Sequence, residues 1–451
     1  MSDLNHHHSD GDDWGVVAQQ GELSMIRAAA GVGAVVAASL TATVLVPTIA
    51  DSPRAAAAEN PACSLVSMPD SWNADIGDLR QLDTWRAGLG NSTSPQMRTS
   101  VATVLDAAAA EQPEAVLVAG DLVEGHWGAD VDGTRLFGKV RTLEQRQAAL
   151  RRAGTFYYSE WAERFALRDL TVYPAIGDHE VGDNPWRGSH AAYGAGNDFK
   201  RRMFPVFKQT WANVFTRTAT GHRYSERPVG TPHEATAYAV EPCPGVLVVT
   251  VDVFRRGGGD VHAQLGDGQM AWLDRVLSES TAEIKIVQGH TPVLGPVNQE
   301  YSSGLMYDGG KQSAFWQTLA EHDVDLYLCG EVHTVTVLHG RKHRVDVPTV
   351  ALGAGVTQIS HGGLIHRGRV NYLTIDVDSG GIDMEVHRFS ATVDDSRGAP
   401  TLWATTHKRP FSDVVYRAGT TVTGRMTIDP LDAADGTGEL ALTTEASRTG
   451  P

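Results

Sequence analysis

The chain carries a series of short, unbroken apolar runs, each followed closely by a polar residue. Cys63–Met68 runs into Pro69-Asp70, Ala115–Ala119 into Gly120-Asp121, and Leu170–Ile176 into Gly177-Asp178. Val246–Val251 ends at Asp252, Ile284–Val287 leads to Gly289-His290, and Val324–Leu328 leads to Cys329-Gly330. Apolar runs of about 4–8 residues without polar alternation predict strands buried on both faces. Between them, Gln96–Glu111, Leu143–Leu167, Gln269–Leu277 and Ser313–His322 carry helical patterns. The βαβα alternation predicts helices covering a parallel sheet. From about Thr334 the pattern changes. Short β runs at Val335–Leu338, Thr349–Leu352, Val370–Val377 and Met384–Phe389 suggest a second sheet packed on the first. Residues 183–232, rich in Gly, Pro, Arg and aromatics, read as an insertion near the active face. The expected division is 1–58 as an N-terminal extension with a signal peptide or anchor, 59–395 as the main domain, and 396–451 as a β-rich extension and tail.

The strand ends hold the candidate chemistry. Asp70, Asp121, Asp178 and His290 each stand just after a buried run, and His333 follows another by a few residues. In open α/β sheets, ligands bind beyond the carboxyl ends of strands. A mixed Asp/His set suits Zn, Fe or Mn better than Ca. Two metals sharing one carboxylate are a general device for hydrolysing phosphate esters. Blander readings stand beside these. Asp70 and Asp121 could be turn or N-cap aspartates, and His290 could be a buried hydrogen-bonded histidine. His361, in Ser-His-Gly-Gly, is open to either reading. Gly257-Gly258-Gly259 matches no phosphate loop, since no strand–helix junction with Lys comes after it.

Taken in order, PDSWN, GDLVE, GDHE, QGHTP and GEVH resemble the blocks D-x-H, G-D, G-N-H-E/D, G-H and G-H-x-H of the calcineurin-like metallophosphoesterases. The resemblance covers about Cys63 to Leu338. It implies an α/β fold of two packed mixed β-sheets flanked by helices, an αββα sandwich. It implies a metal-dependent phosphoesterase that hydrolyses phosphate mono- or diesters with a metal-bound hydroxide, and the N-terminal segment described below adds that the enzyme is exported. By the same resemblance, Asp70 and His333 would bind a first metal, Asp121 would bridge, and Asp178 and His290 would bind a second. His179 would protonate the leaving oxygen and Glu180 would orient His179. Two departures stand out. Trp72 replaces the D-x-H histidine, leaving Asn73 or Asp75 to substitute. Glu331 replaces the first histidine of G-H-x-H and could serve the second metal. The site is then richer in oxygen ligands, which moves the expected pair among Mn, Fe and Zn toward Mn or Fe. A single high-affinity metal also becomes a possibility. Arg187 and His222 in the insertion could bind substrate phosphate. A catalytically degenerate binding protein on the same fold is the competing class, and a mononuclear hydrolase of a non-phosphate substrate is a remoter one.

Composition narrows the partners. The 451 residues carry a formal net charge of -16, against general nucleic-acid binding and docking on anionic lipid. A phosphorylated small molecule or polymer remains a fitting substrate if metals supply local positive charge. Residues 28–50 carry no charge, follow Arg27 and precede Ala56-Ala57-Ala58. They read as a secretory signal, with an uncleaved N-terminal membrane anchor as the alternative. A start at Met25 gives the better signal. Of Cys63, Cys243 and Cys329, one pair could join after export, although at least two read as simply buried.

Overall fold

The computed structural model describes residues 62–70, 74–87, 89, 91–92, 94–125, 135–186, 191–192, 195–297, 302–340, 355–365, 368, 370–378, 381–394, 413–428 and 440–443. In chain order the first strands are β1 (Cys63–Ser67), β2 (Ala115–Val118), β3 (Val172–Pro174), β4 (Ala191–Ala192), β5 (Ala195–Gly196) and β6 (Tyr238–Cys243). Then come β7 (Val246–Thr250), β8 (Phe254–Gly257), β9 (Asp260–Ala263), β10 (Ile284–Gln288), β11 (Leu326–Cys329) and β12 (Thr336–Gly340). The last are β13 (Val356–Ser360), β14 (Asn371–Asp378), β15 (Gly381–Asp394), β16 (Asp413–Ile428) and β17 (Leu440–Thr443). The helices are α1 (Pro95–Ala110), α2 (Leu143–Ala166), α3 (Asn197–Phe215), α4 (Asp267–Glu279) and α5 (Ala314–Glu321).

Two mixed sheets form the centre. One runs β17-β16-β15-β14-β1-β2-β3 and the other β12-β13-β11-β10-β7-β6. Within the first, β1, β2 and β3 are parallel. Within the second, β7, β10, β11 and β13 are parallel. Side chains alternate between two cores, as the pleat requires. Leu65, Leu117, Val248, Ile286, Leu328, Leu373 and Ile375 fill the space between the sheets. Their neighbours Val66, Val116, Val249, Val287 and Tyr327 join the helix residues Val104, Tyr157, Trp161, Leu273 and Trp316. The result is the α/β fold of two mixed sheets flanked by helices. The strands β16 and β17, from the stretch read as an extension, continue the first sheet.

Local signals set the helix starts. Ser94 caps α1, accepting from the Met97 amide at 3.0 Å with Pro95 at the first position. Thr142 and Gln145 cap α2 reciprocally. The expected insertion holds α3, a helix whose apolar period was passed over in a stretch read by composition. Its Phe199, Met203, Phe207, Trp211 and Phe215 are buried at every fourth position. Pro205 inside the helix and the Lys200-Arg201-Arg202 run mask that pattern.

Cys63 and Cys243 form a disulfide joining β1 of one sheet to β6 of the other, while Cys329 is a buried thiol. The pair is therefore covalent rather than merely apolar. Among the described residues no helix is long and apolar enough to cross a membrane. This finding runs against the expected membrane contact through an uncleaved segment. The apolar run 28–50 itself lies outside the described residues, as do the β run at 349–352 and the tail 444–451.

Candidate metal centre

Parallel pairing puts the carboxyl ends of β1, β2 and β3 along one edge, and those of β7, β10 and β11 along another. The loops after them meet. Asp70, Asp121 and His290 form one group of close donor atoms, and Asp121, Asp178 and His179 a second. Asp178, His290 and Glu331 form a third. His333 joins through Asp70, its Nε2 lying 3.9 Å from Asp70 Oδ1.

The backbone bends sharply to achieve this. Asp70 (φ 52°), Asp121 (φ 61°), Glu331 (φ 69°) and His333 (φ 56°) all adopt left-handed conformations. Each such residue costs about 1–3 kcal/mol and persists only where its surroundings hold it. Two glycines give room. A Cβ on Gly177 would collide with Asp121 Oδ1, and one on Gly330 with Asp70 Oδ2.

The electrostatics call for cations. Asp70, Asp121, Asp178 and Glu331 are all buried, and neither carboxylate oxygen of Asp70 is in a close hydrogen bond. An uncompensated buried charge costs several kcal/mol. Burial pushes the Asp70 carboxyl up to about 7, with Glu331 and Asp178 adding and His290 opposing. Burial likewise raises Asp121 well above the usual range. Asp178 goes the other way. Burial would raise it, but His179, His290 and Asn184 outweigh that and hold it low. Burial disfavours charge on His290 too, yet Asp121, Asp178, Glu331 and Asp70 hold it well above its ordinary value. The cluster in this state keeps protons that metal ions would displace.

His290 is set for a metal. Its Nδ1 donates to the Ala119 carbonyl at 2.9 Å, which turns Nε2 inward. Nε2 lies 3.0 Å from Asp178 Oδ1, 3.4 Å from Glu331 Oε2 and 3.5 Å from Asp121 Oδ1. Glu331 is anchored from behind. Its Oε1 accepts from Ser302 Oγ at 2.9 Å, Ser303 Oγ at 2.7 Å and the Leu305 amide at 3.0 Å. The imidazole-to-carboxylate change therefore leaves a donor aimed at the cluster. The donor set fits transition-metal ions.

His179 sits on the rim, its side chain 18% exposed. Its Nδ1 donates to the Glu124 carbonyl at 2.8 Å, leaving Nε2 to face Asp121 Oδ2 and Asp183 Oδ1, each at 3.9 Å. Burial works against its charge, but Asp121, Asp183, Asp178 and Glu124 prevail and hold it well above its ordinary value.

Glu180 holds the backbone of two loops. One carboxylate oxygen accepts from the Asp121 and Gly177 amides at 2.9 and 2.7 Å. The other accepts from Leu122 and Val123 at 2.8 and 3.3 Å. These bonds tie together the loops after β2 and β3, and the charge of His179 also acts on the carboxylate. His222 is exposed in a turn closed by the Thr218 amide, and none of its described bonds reaches the cluster. Asn73 and Arg187, like Trp72, lie outside the described residues. Asp75 accepts from the Glu124 amide. His361 uses both ring nitrogens on Ser67 and Asn371, and burial holds it down to about 3. Asp252 ends β7 as the ligands end their strands, but pairs with Lys208 at 2.6 Å and His233 at 3.2 Å. The three glycines 257–259 close the β8–β9 hairpin.

The profile of the family described as calcineurin-like phosphoesterase matches residues 75–335, more than half of the chain. A search of curated proteins with this chain found no match. Among solved structures, a dimetal phosphatase from Danio rerio is similar at 16% identity and a TM-score of 0.42, covering 73% of this chain and 96% of that one. PhoD is similar at 13% identity and 0.48, covering 87% and 73%. The purple acid phosphatase PPD1 from yellow lupin is similar at 14% and 0.42, covering 72% and 51%. These likenesses concern overall fold.

Proposed function

The chain belongs to the calcineurin-like phosphoesterase family, and on that premise we propose that it hydrolyses phosphate mono- or diesters at this centre. The observation that carries the reading is the Asp70 carboxylate, buried beside Asp121, His290 and Glu331 with neither oxygen in a close hydrogen bond. Such a group is costly unless a cation meets it. Asp70 and His333 would hold one ion, Asp178, His290 and Glu331 the other, with Asp121 shared. When bound, two transition metals, Mn or Fe by the oxygen-rich donor set, would lower the pKa of a water and neutralise charge on phosphoryl oxygens.

His179 supplies the proton. With Nδ1 committed to the Glu124 carbonyl, Nε2 is the atom that can give a proton to the leaving oxygen. Its carboxylate neighbours, Asp183 and Glu124 among them, favour the protonated ring. Export fits the same reading, because the Cys63–Cys243 disulfide belongs to an oxidising compartment. The test is metal analysis of purified protein and then a panel of phosphate mono- and diesters. Two transition metals per chain with turnover are expected. Absence of both metal binding and turnover would overturn the reading in favour of a binding protein on this fold.

A further inference from the structure

We propose that Asn184 and Ser303 form a bridge that locks Asp178 and Glu331 into one half-site, and that this bridge sets how tightly the second ion is held. The inference rests on the functional reading above and extends it to two residues outside the ligand set.

Proton bookkeeping fixes the direction of every bond in the bridge. Asn184 Nδ2 lies 2.5 Å from Asp178 Oδ2 and 3.0 Å from Ser303 Oγ. The amide has two N–H bonds, so it can donate to both. Ser303 Oγ has one proton, and a carboxylate oxygen, Glu331 Oε1, stands 2.7 Å away. The hydroxyl thus accepts from Asn184 and donates to Glu331. Donors occupy the middle and acceptors both ends.

The bridge also selects which oxygens remain for a metal. Asn184 takes Oδ2 of Asp178 with its side chain and again with its backbone amide at 3.2 Å. Ser302, Ser303 and the Leu305 amide all take Oε1 of Glu331. Asp178 Oδ1 and Glu331 Oε2 are left toward His290 Nε2, at 3.0 and 3.4 Å. Asp178 comes from the loop after β3 in one sheet, and Glu331 from the loop after β11 in the other. The bridge therefore ties the two sheets' loops together behind the ion. Asn184 and Ser303 are positioning residues, since they touch ligands and not the reacting atoms.

The experiment titrates chelator-stripped full-length protein with Mn²⁺ and, separately, Zn²⁺ by calorimetry, with elemental analysis of the loaded protein. Wild type is expected to bind two ions. Asn184→Ala should weaken the second by about 10–100-fold and leave the first unchanged, the usual cost of removing a partner that holds a metal ligand from behind. Ser303→Ala should weaken it by less, because Ser302 and the Leu305 amide still hold Glu331. Ser303→Thr keeps the hydroxyl and should match wild type. Metal-free melting temperatures check that each variant folds, and if Asn184→Ala does not, the Ser302→Ala/Ser303→Ala double variant decides. Two ions in wild type, with unchanged or equally weakened binding of both in the variants, would overturn the bridge alone. No ion in wild type would overturn the functional reading and the bridge with it.

Discussion

At His179 a single ring has its two nitrogens assigned to different tasks. Nδ1 is tied to the Glu124 carbonyl, and Nε2 faces the cluster. His179→Ala should retain both metals and lose about 10²–10⁴ in turnover, as expected for an acid–base group. A substrate with a very good leaving group should lose less. Equal losses on good and poor leaving groups, read from kcat, would remove the acid assignment. Glu331 offers a complementary test. One oxygen is held by serines and the other faces His290. Glu331→Gln should lower metal content toward one ion per chain in elemental analysis, with activity partly recovered by excess Mn. Unchanged metal affinity and turnover would show that Glu331 is not a ligand.

The loops after β2 and β3 act as one element because Glu180 binds amides from both. Four backbone donors meet one buried carboxylate. Glu180→Ala would leave them without that partner, in loops that already hold Asp121 in a left-handed conformation. The expected cost is about 3–5 kcal/mol of unfolding free energy, the usual penalty for breaking a buried charged network. Denaturant titration measures it, and His179→Ala serves as a control with little change. If Glu180→Ala melts like wild type but shifts the pH–rate profile, the orienting role toward His179 is the right one instead.

Across the molecule, the Cys63–Cys243 disulfide closes a loop with a sequence separation of 180 and joins the two sheets. Cys63→Ser/Cys243→Ser should lose about 2–5 kcal/mol in guanidinium unfolding. No loss would show that the inter-sheet core suffices. The metal cluster gives the whole fold a pH dependence. Burial raises Asp70 from 3.8 to about 7, and raises Asp121 as well. At these two carboxyls the metal-free fold binds more protons than the open chain. They outweigh buried His361, held down to about 3, which opposes them up to about 6.5, so stability falls as pH rises from about 4 through 7. His290 is held high by its carboxylates, so it adds loss in the same direction above about 6.5. Asp178 is held low and opposes this only below about 4. In excess chelator the melting temperature should be higher at pH 5 than at pH 8, and saturating Mn should reverse that order. A metal-free melting temperature that rises from pH 5 to pH 8 would contradict the account.

Apolar runs and the polar residues at their ends were enough to place β1, β2, β3, β7, β10 and β11, because a strand buried on both faces cannot be polar. Parallel β13 lies in none of the predicted runs, and β14 and β15 joined the first sheet instead of building the second. The strand-end positions of Asp70, Asp121, Asp178, His290 and His333 came from the same runs, and Glu331 only from the resemblance. The edge strand β6 was not legible, since its polar residues interrupt the period, whereas α3 carries a fourfold apolar period that the Gly-, Pro- and Arg-rich composition of its stretch obscured. Tertiary structure alone decided which partner each side chain meets. Glu180 beside His179 in sequence reads as its neighbour, yet its carboxylate turns to amides of another loop. Asp252 ends its strand as the ligands do, yet Lys208 from α3 neutralises it. Asn184 and Ser303 carry no sequence signal for pairing, being 119 positions apart. Local pattern fixes the face a residue presents, whereas hydrogen-bond partners depend on which loops the packed sheets bring together.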